Sequence, residues 1–251
     1  MQWIDEKGLE TWATFLNARE NLMAMLADLI RMTIDDASRF RFPSGEVSQL
    51  RGWDGDLETV EAKSFVPAGK SKWEFGTGPG APKANADYEK RTNQTPPAEM
   101  AENTLVLVNL GCWDTPTKKI PEWENDRRAE GKWKDVRYLD GVSLVQWLQD
   151  HPAVAARYAR NVLRSAPQDG ALSTDEYWEE FSTQFKPQLN EKVVIAGRQH
   201  DADALIAKLR GQPESFMLGA ETSEEVIAFA VAAIRSADTA VRESLESRTL
   251  I

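Results

Sequence analysis

The chain has 251 residues, a formal net charge of −10, one cysteine and two histidines. A single cysteine excludes an intramolecular disulfide and a thiolate metal cluster, and two histidines nearly exclude a histidine-rich metal site and argue against a Ser-His-Asp triad. The acidic balance argues against a nucleic-acid partner, because phosphate binding needs Lys and Arg, but residues 63–137 are nearly neutral, with 13 basic and 11 acidic side chains.

The N-terminus (MQWIDEKGLETW) is acidic and lacks the basic-then-apolar pattern of a signal peptide. No apolar run approaches the ~20 residues of a membrane span, so a cytoplasmic protein is predicted. Apolar residues at three- and four-residue spacing predict a helix from Gly8 to about Ala37. Glu20 lies near its middle, either as a solvated position or as a catalytic acid. The segment 40–45 (FRFPSG) ends the helix.

A β-hairpin is predicted next, since β-branched and aromatic residues alternate between turn formers. Its first strand runs from residue 57 to 66, its turn covers 67–70, and its return strand covers 72–77. Asp54 stands at the entry of the first strand and Glu74 on the return strand. The hairpin therefore places two acidic residues on neighbouring strands.

The segment after the hairpin predicts alternating helices and strands, which indicates an α/β layer with a mixed sheet. The apolar run TLVLVNL is typical of a buried strand. The predicted elements are a helix over 83–92, a polar loop, a strand over 104–110, a helix within 118–133, a strand over 135–140 and a helix capped by Ser143 that continues to Leu148.

The C-terminal third predicts further helices over 152–165 and 175–185, then a boundary near 185–190. A small βαβα piece follows, with strands at 193–196 and 215–218, helices at 200–210 and 223–234, and an incoming strand at 249–251. We expect this piece to be incomplete and the chain to be the front part of a longer protein. The predicted domains are 1–150 (α/β), 151–190 (helical extension) and 191–251 (βαβα).

Two glycine motifs fail as nucleotide-binding sites. Gly69-Lys70-Ser71 resembles part of a Walker A motif, but Ser64 stands where a glycine is needed and a strand follows instead of a helix. The segment Gly76–Gly80 fails as a dinucleotide fingerprint, because proline interrupts the helix that should follow.

The two hairpin acids predict a metal-dependent phosphodiester chemistry. Carboxylates are the hard oxygen ligands that Mg²⁺ prefers, and a lysine nearby orients water or stabilises transition-state charge. A second acid could also be Glu61, whose Glu61-Ala62-Lys63 spells a nuclease E-x-K motif. Glu61 follows Asp54 by seven residues on one predicted strand, about 23 Å away at 3.3 Å per residue. One metal cannot bridge that distance, so Glu74 is favoured.

In the order of these elements, residues 10–150 resemble the PD-(D/E)xK nuclease superfamily, in particular Mrr-type restriction endonucleases. The matching features, in chain order, are Glu20, Asp54-Gly55, Trp73-Glu74-Phe75, the 83–92 helix, the 104–110 strand and YLDGVSLVQWL (138–148). The resemblance implies a mixed central sheet flanked by helices, with Mg²⁺ or Mn²⁺ held by Asp54 and Glu74 and DNA as the substrate.

The chain departs from the family pattern at Gly76, which occupies the lysine position of Glu-x-Lys. Some members supply this ammonium from the following helix, where Lys83 is the nearest candidate; Lys72, on the same strand as Glu74, is the second. Asp54, Glu74, Lys83 and Glu20 are thus the candidate catalytic residues. A chain without the lysine is alternatively an inactive module that uses the fold to bind nucleic acid or to oligomerise.

The layout also resembles N-terminal effector domains of bacterial anti-phage proteins, where a nuclease precedes further domains. This resemblance implies additional C-terminal domains, and self-association is a further possibility. The residues expected to contact DNA phosphates are Lys72, Lys90, Arg91, Lys118 and Lys119.

Overall fold

The structure is a computed structural model that describes residues 3–34, 36–43, 52–78, 80–164, 170–212, 214–246 and 248–251. The chain divides into two compact units, Met1–Ser165 and Ala166–Ile251. The boundary therefore falls at 165/166, between the two boundaries expected at 150 and 190.

Unit 1 is built on a five-stranded sheet whose strands follow one another in chain order. The first three strands are antiparallel, and the last two run parallel to the third. Their bounds are β1 Arg39–Arg41, β2 Gly55–Thr59, β3 Gly69–Gly76, β4 Thr104–Asn109 and β5 Asp135–Leu139. The predicted mixed sheet flanked by helices is confirmed at this level.

The helices of unit 1 precede the sheet, connect its parallel strands or follow β5. They are α1 Glu6–Ala13, α2 Ala18–Thr33, α3 Gly80–Gln94, α4 Pro97–Glu102, α5 Ile120–Ala129, α6 Gly141–Asp150 and α7 Pro152–Asn161. Asp140, rather than Ser143, caps α6, because its side chain accepts the Ser143 N–H. The expected helical extension is divided, since α7 belongs to unit 1 and packs against its core.

Each face of the sheet carries its own apolar cluster. Val106 and Val108 pack with residues of α1, α2, α6 and α7, whereas Leu105 and Leu107 pack with residues of α3, α4 and α5. Successive side chains of a strand point to opposite faces, so an uninterrupted apolar run suits a strand covered on both sides. Trp73 belongs to the first cluster, which places its neighbour Glu74 on the face of α3.

Several predictions for unit 1 need correction, including the polar loop expected before β4, which contains α4. The single helix over 8–37 is two helices, α1 and α2, separated by exposed residues 14–17. The first hairpin strand ends at Thr59 instead of residue 66, because 60–66 form a loop closed by the Lys63–Val66 bridge. Strand β1, which pairs with β2, lies in the segment expected only to turn the chain.

In the described ranges, every element of regular structure in unit 2 is a helix, so the two strands of the predicted βαβα piece are wrong. The helices of unit 2 are α8 Thr174–Ser182, α9 Glu191–Ile195, α10 Gln199–Arg210, α11 Ser223–Ser236 and α12 Thr239–Glu246. The two helices of the predicted piece are present as α10 and α11. The run 193–196 begins inside α9, which Asn190 caps, and residues 215–218 form no regular element. A four-residue apolar run has too few positions to distinguish a period of 2 from one of 3.6.

The last residue of the chain makes the one strand-like pairing seen in the described part of unit 2. Ile251 and Leu172 exchange two backbone hydrogen bonds, of 2.9 and 2.7 Å. The expected incoming strand at 249–251 is not formed in the described residues, and the pairing is confined to Ile251 and Leu172. Within the described ranges, no helix combines the length and apolar character needed to cross a membrane.

Candidate active site at the hairpin

Strand pairing brings Asp54 and Glu74 together. In the antiparallel pair β2–β3, Gly55, which follows Asp54, is the register partner of Trp73, which precedes Glu74. The two acids therefore lie at adjoining positions of neighbouring chain segments. The Phe75 N–H also donates to Asp54 Oδ2 at 2.8 Å. Both acids are buried, with exposed fractions of 5% for Asp54 and 2% for Glu74.

Cations from two helices surround this pair. Arg19 of α2 donates to both Asp54 oxygens at 3.1 Å. Lys90 of α3 donates to Glu74 Oε1 at 3.0 Å, and the neighbouring Arg91 bonds Glu74 Oε2 through Nε, at 2.6 Å, and Nη2. Buried carboxylates need such partners, because an isolated charge in a low-dielectric interior is very costly. Each acid is therefore paired within the protein.

Arg91 is fixed on several sides. Its Nη2 donates to the Gly52 carbonyl at 2.8 Å, and its guanidinium lies 4.4 Å from the ring centroid of Trp53. Trp53 in turn packs edge-on against Trp133. Arg91 is buried in this arrangement. A phosphate contact by Arg91, expected from the sequence, would require it to leave Glu74.

The pKa of Asp54 is raised above its ordinary value, first by burial and then by the nearby negative charge of Glu74. The hydrogen bond from Phe75 and the charge of Arg19 lower it only in part. Burial lowers the pKa of Arg19. The negative charges of Asp54, Glu74 and Asp87 outweigh this effect, so the pKa of Arg19 is raised overall. The two carboxylates thus repel each other despite their partners, and an added cation would relieve that repulsion.

Lys83 occupies the space beside Gly76. A Cβ built on Gly76 would stand 3.0 Å from Lys83 Cε and 2.2 Å from Asn109 Oδ1. The Lys83 ammonium bonds the buried carboxylate of Asp87, four residues along α3. The side chain of Lys83 therefore fills the space that a lysine at position 76 would begin to occupy.

Asn109 ends β4 next to Gly76 in the parallel register. Its side chain is fully buried and interacts with the buried Tyr138 hydroxyl of β5. Within the described residues, neither side chain makes a hydrogen bond of ordinary geometry. Burial, the largest effect, raises the pKa of Tyr138, and the nearby Asn109 amide partly opposes it.

The other expected catalytic residues lie outside this cluster. Glu20 is exposed, and in the described part of the chain its side chain makes no hydrogen bond or ion pair. Its neighbour Arg19 is the α2 residue that reaches Asp54. Lys72 pairs at 3.2 Å with Asp56 and at 3.2 Å with Glu99, so it is engaged elsewhere on the same face.

The remaining sequence candidates lie at the surface or in loops. Lys118 pairs with Asp126, and Lys119 is exposed at the start of α5. Glu61, the alternative acid, is exposed in the loop after β2 and pairs with Lys63 at 3.2 Å. Of the candidate phosphate contacts, only Lys90 and Arg91 touch the carboxylate pair.

Sequence reasoning missed Arg19, Asp87 and Asn109. Asp87 could have been predicted from the sequence, because residues four apart on a helix are neighbours and Lys83 and Asp87 have that spacing. Asn109 could have been predicted as a polar residue that ends an apolar parallel strand, where ligands of open α/β sheets bind. Arg19 could not have been predicted, because no local sequence feature determines which side of a helix faces a distant strand.

The donor set suits Mg²⁺ only in part. No group of three or more His, Cys, Asp or Glu residues that could hold a metal occurs in the described ranges. Mg²⁺ is commonly held by one or two carboxylates, with water and substrate phosphates completing the shell, and Asp54 and Glu74 match that number of carboxylates. Binding requires Arg19, Lys90 or Arg91 to release carboxylate oxygens.

No protein-family model, curated protein or solved structure matches this chain. The chemistry of the site is therefore inferred from its own residues.

Proposed function

We propose that the chain is a metal-dependent endonuclease that cleaves DNA phosphodiester bonds. The observation that carries the proposal is the buried Asp54–Glu74 pair, in which burial first and then the charge of Glu74 raise the pKa of Asp54, with the Lys83 side chain beside Gly76. A pair of repelling carboxylates next to an ammonium is the equipment that Mg²⁺-assisted phosphodiester hydrolysis needs.

The topology of unit 1 supports a restriction-endonuclease-like fold. The antiparallel strands β1–β3 are followed by α3 and by the parallel strands β4 and β5, with Asp140-Gly141 leading into α6. This is the order of elements on which the resemblance to PD-(D/E)xK nucleases rests. Function is argued from the site, because one fold hosts many activities.

In the proposed reaction, Asp54 and Glu74 hold the ion, and Lys83 orients the attacking water or the scissile phosphate. Bound Mg²⁺ supplies Lewis-acid polarisation of the phosphate and a more acidic water. The side chains of Arg19 and Lys90 are about half exposed, at 56% and 47%. Once they release the carboxylates, both can turn toward backbone phosphates, which supply most of the affinity of non-specific DNA binding.

The role as an effector domain of a bacterial anti-phage protein rests on the resemblance alone. We expect expression of the intact chain in a bacterial host to reduce phage plaque formation and the Asp54→Asn variant to lose this protection. Equal plaque counts with both proteins and with an empty vector would refute the defensive role.

A second candidate function is an inactive nuclease-fold module that binds nucleic acid or oligomerises. The pairing of all four Asp54 and Glu74 oxygens with Arg19, Lys90 and Arg91 favours it, because cations of the protein then stand where a metal would bind. This alternative predicts binding to DNA without cleavage.

Plasmid cleavage distinguishes the two functions. We expect nicking in Mg²⁺ or Mn²⁺ and none in a chelator. Asp54→Asn keeps the shape of the side chain and removes its charge, so it should abolish nicking in a folded protein. Glu61→Gln, at the exposed loop acid, is the matched control and should cleave normally. Absence of nicking by the intact chain with either ion would favour the inactive module.

A further inference from the structure

Two arginines bond the carboxylate pair, and the protein holds one of them far more firmly than the other. Arg91, whose side chain is 10% exposed, is fixed between Glu74 and the ring of Trp53. The side chain of Arg19 is 56% exposed, and in the described part of the chain Asp54 is its sole hydrogen-bond partner. An exposed arginine can exchange one ion-pair partner for another at little cost, whereas a buried one cannot. Arg19 is therefore the guanidinium that can leave.

Arg19 covers the one Asp54 oxygen that the backbone leaves open. Oδ2 accepts the Phe75 N–H at 2.8 Å as well as Arg19 Nη2 at 3.1 Å. Among the described residues, Oδ1 accepts a hydrogen bond from Arg19 Nη2 alone, at 3.1 Å. Without Arg19, Oδ1 would be an anionic oxygen of a buried side chain with no partner, an arrangement that a cation relieves. Departure of Arg19 and binding of a metal ion therefore favour each other.

A DNA phosphate is the ligand that can draw Arg19 away. A guanidinium binds phosphate with the same forked geometry as it binds carboxylate, and backbone phosphates supply much of the attraction between DNA and a protein. Lys90, which bonds Glu74 and is about half exposed, adds a second cation at the same pair. A DNA backbone that reaches the site thus meets two exposed cations, one of which covers Asp54.

We infer that Arg19 couples the binding of DNA to the binding of the metal ion. In the free chain Arg19 covers Asp54, and when DNA arrives Arg19 moves to a phosphate and opens Oδ1 to the ion. The inference rests on the proposed function and adds its regulation, because the site binds the ion tightly only together with its substrate. It also reconciles the paired carboxylates with an active enzyme, since the pairing is then the resting state of the chain without DNA.

Arg39 of β1 provides a matched control. Its side chain is 57% exposed and bonds Asp56 at 2.6 Å, and the Asp56 side chain is 11% exposed. Asp56 lies two residues after Asp54, so Arg39→Gln removes an equally exposed cation from a buried acid of the same chain segment. A general loss of positive charge would act alike in Arg39→Gln and Arg19→Gln, whereas the coupling should be lost in Arg19→Gln alone.

The first measurement is Mn²⁺ binding to the full chain without DNA, followed by electron paramagnetic resonance at mildly alkaline pH, where Asp54 stays ionised. We expect Arg19→Gln to bind Mn²⁺ roughly tenfold more tightly than the unaltered chain, a factor typical of coupled sites. Arg39→Gln should bind as the unaltered chain does. Equal Mn²⁺ affinities of folded Arg19→Gln and the unaltered chain would overturn the inference.

The second measurement adds a phosphorothioate duplex, which resists cleavage. We expect the unaltered chain and Arg39→Gln to bind Mn²⁺ roughly tenfold more tightly than without DNA, and Arg19→Gln to gain little. Linkage requires Mn²⁺ to raise the DNA affinity of the unaltered chain by the same factor, which fluorescence anisotropy measures. An equal gain in Arg19→Gln would overturn the inference, because the duplex would then attract the ion by its own charge. The unaltered chain decides the matter even if Arg19→Gln does not fold, since a Mn²⁺ affinity that DNA leaves unchanged refutes the coupling.

Plasmid nicking separates this inference from the proposed function. Nicking by an unaltered chain whose Mn²⁺ affinity does not depend on DNA would refute the coupling alone. Coupled binding of Mn²⁺ and DNA without nicking would support the role of Arg19 and refute the endonuclease. Absence of Mn²⁺ binding both with and without DNA would refute both.

Discussion

At the scale of single residues, the Asp54 carboxylate lowers the stability of the folded chain near neutral pH. Its folded-state pKa is raised above the ordinary 3.8, chiefly by burial and then by Glu74. A raised acid pKa contributes stability that is fully present below pH 3.8 and is lost as pH rises through the folded-state pKa. The neutral form is therefore the one that the fold prefers.

We expect Asp54→Asn to become more stable relative to the unaltered chain as pH rises from about 3 to about 7, because asparagine cannot ionise. Urea unfolding over that range measures the difference in the free energy of unfolding. Glu61→Gln, an exposed change, serves as the control and should follow the unaltered chain. Parallel stability curves for Asp54→Asn and the unaltered chain would contradict the raised pKa.

The same repulsion makes a divalent cation a stabilising ligand. We expect Mg²⁺ to raise the Tm of the unaltered chain near neutral pH, because an ion at a hundredfold excess over its Kd adds about 2.7 kcal/mol to the free energy of unfolding. Asp54→Asn should abolish this shift, since one of the two protein ligands loses its charge. Calorimetric scans with increasing Mg²⁺ provide the measurement. An equal rise in both proteins would place the ion elsewhere.

Of the site itself, the sequence predicts the acids better than their partners. Asp54 follows from an Asp-Gly turn before a strand, and Glu74 follows from a position on the return strand. Their pairing does not follow, because β2 ends at Thr59 and the loop after it sets a register that the predicted strand to residue 66 would not give. The burial of Arg91 does not follow, since it depends on how α3 lies across the sheet. A helix C-terminal arginine is normally interpreted as a solvated cation, and here it is a core residue stacked on Trp53.

At the scale of elements, the parallel pair β3–β4 depends on a glycine at position 76. We expect Gly76→Ala to lower the free energy of unfolding by about 1–3 kcal/mol, because a new methyl group would stand 2.2 Å from Asn109 Oδ1. Asn109→Ala in the same chain should recover most of the loss, and a double-mutant cycle of urea midpoints measures this coupling.

Gly219→Ala is the control for the effect of a methyl group alone, since nothing lies within 4 Å of its Cβ position. Independent, additive effects of Gly76→Ala and Asn109→Ala would show that the two side chains do not collide.

Element types are predictable where the pattern is long, and ambiguous where it is short. All six residues of β4 are buried and the four between its polar ends are apolar, with a covered face on either side, and the sequence identifies them correctly as a buried strand. The run at 193–196 is also apolar, but a cap at Asn190 starts a helix there instead. Val193, with 64% of its surface exposed, shows that this run does not enter a core as a strand would.

At the scale of the whole molecule, the two units differ in charge. Residues 1–165 hold 25 acidic and 22 basic side chains, for a net charge of −3, and residues 166–251 hold 15 and 8, for −7. Each unit has a core of its own. The two apolar clusters on the sheet contain only residues of unit 1, and a third cluster, formed by α8, α9, α10 and α11, contains only residues of unit 2. Most of the net negative charge thus belongs to unit 2, whereas the carboxylate pair lies in unit 1.

We expect the fragment 1–165 to fold alone and to bind duplex DNA about tenfold more tightly than the full chain at low salt, because it carries fewer charges that repel phosphate. The difference should vanish in high salt, where the screening length falls to a few ångströms. Fluorescence anisotropy without divalent ions measures binding before any cleavage. A full chain with Gln at the exposed acids Glu179, Glu180 and Glu221 keeps unit 2 and should bind with intermediate affinity. If that variant binds no better than the unaltered chain while the fragment does, unit 2 hinders DNA by its bulk rather than by its charge.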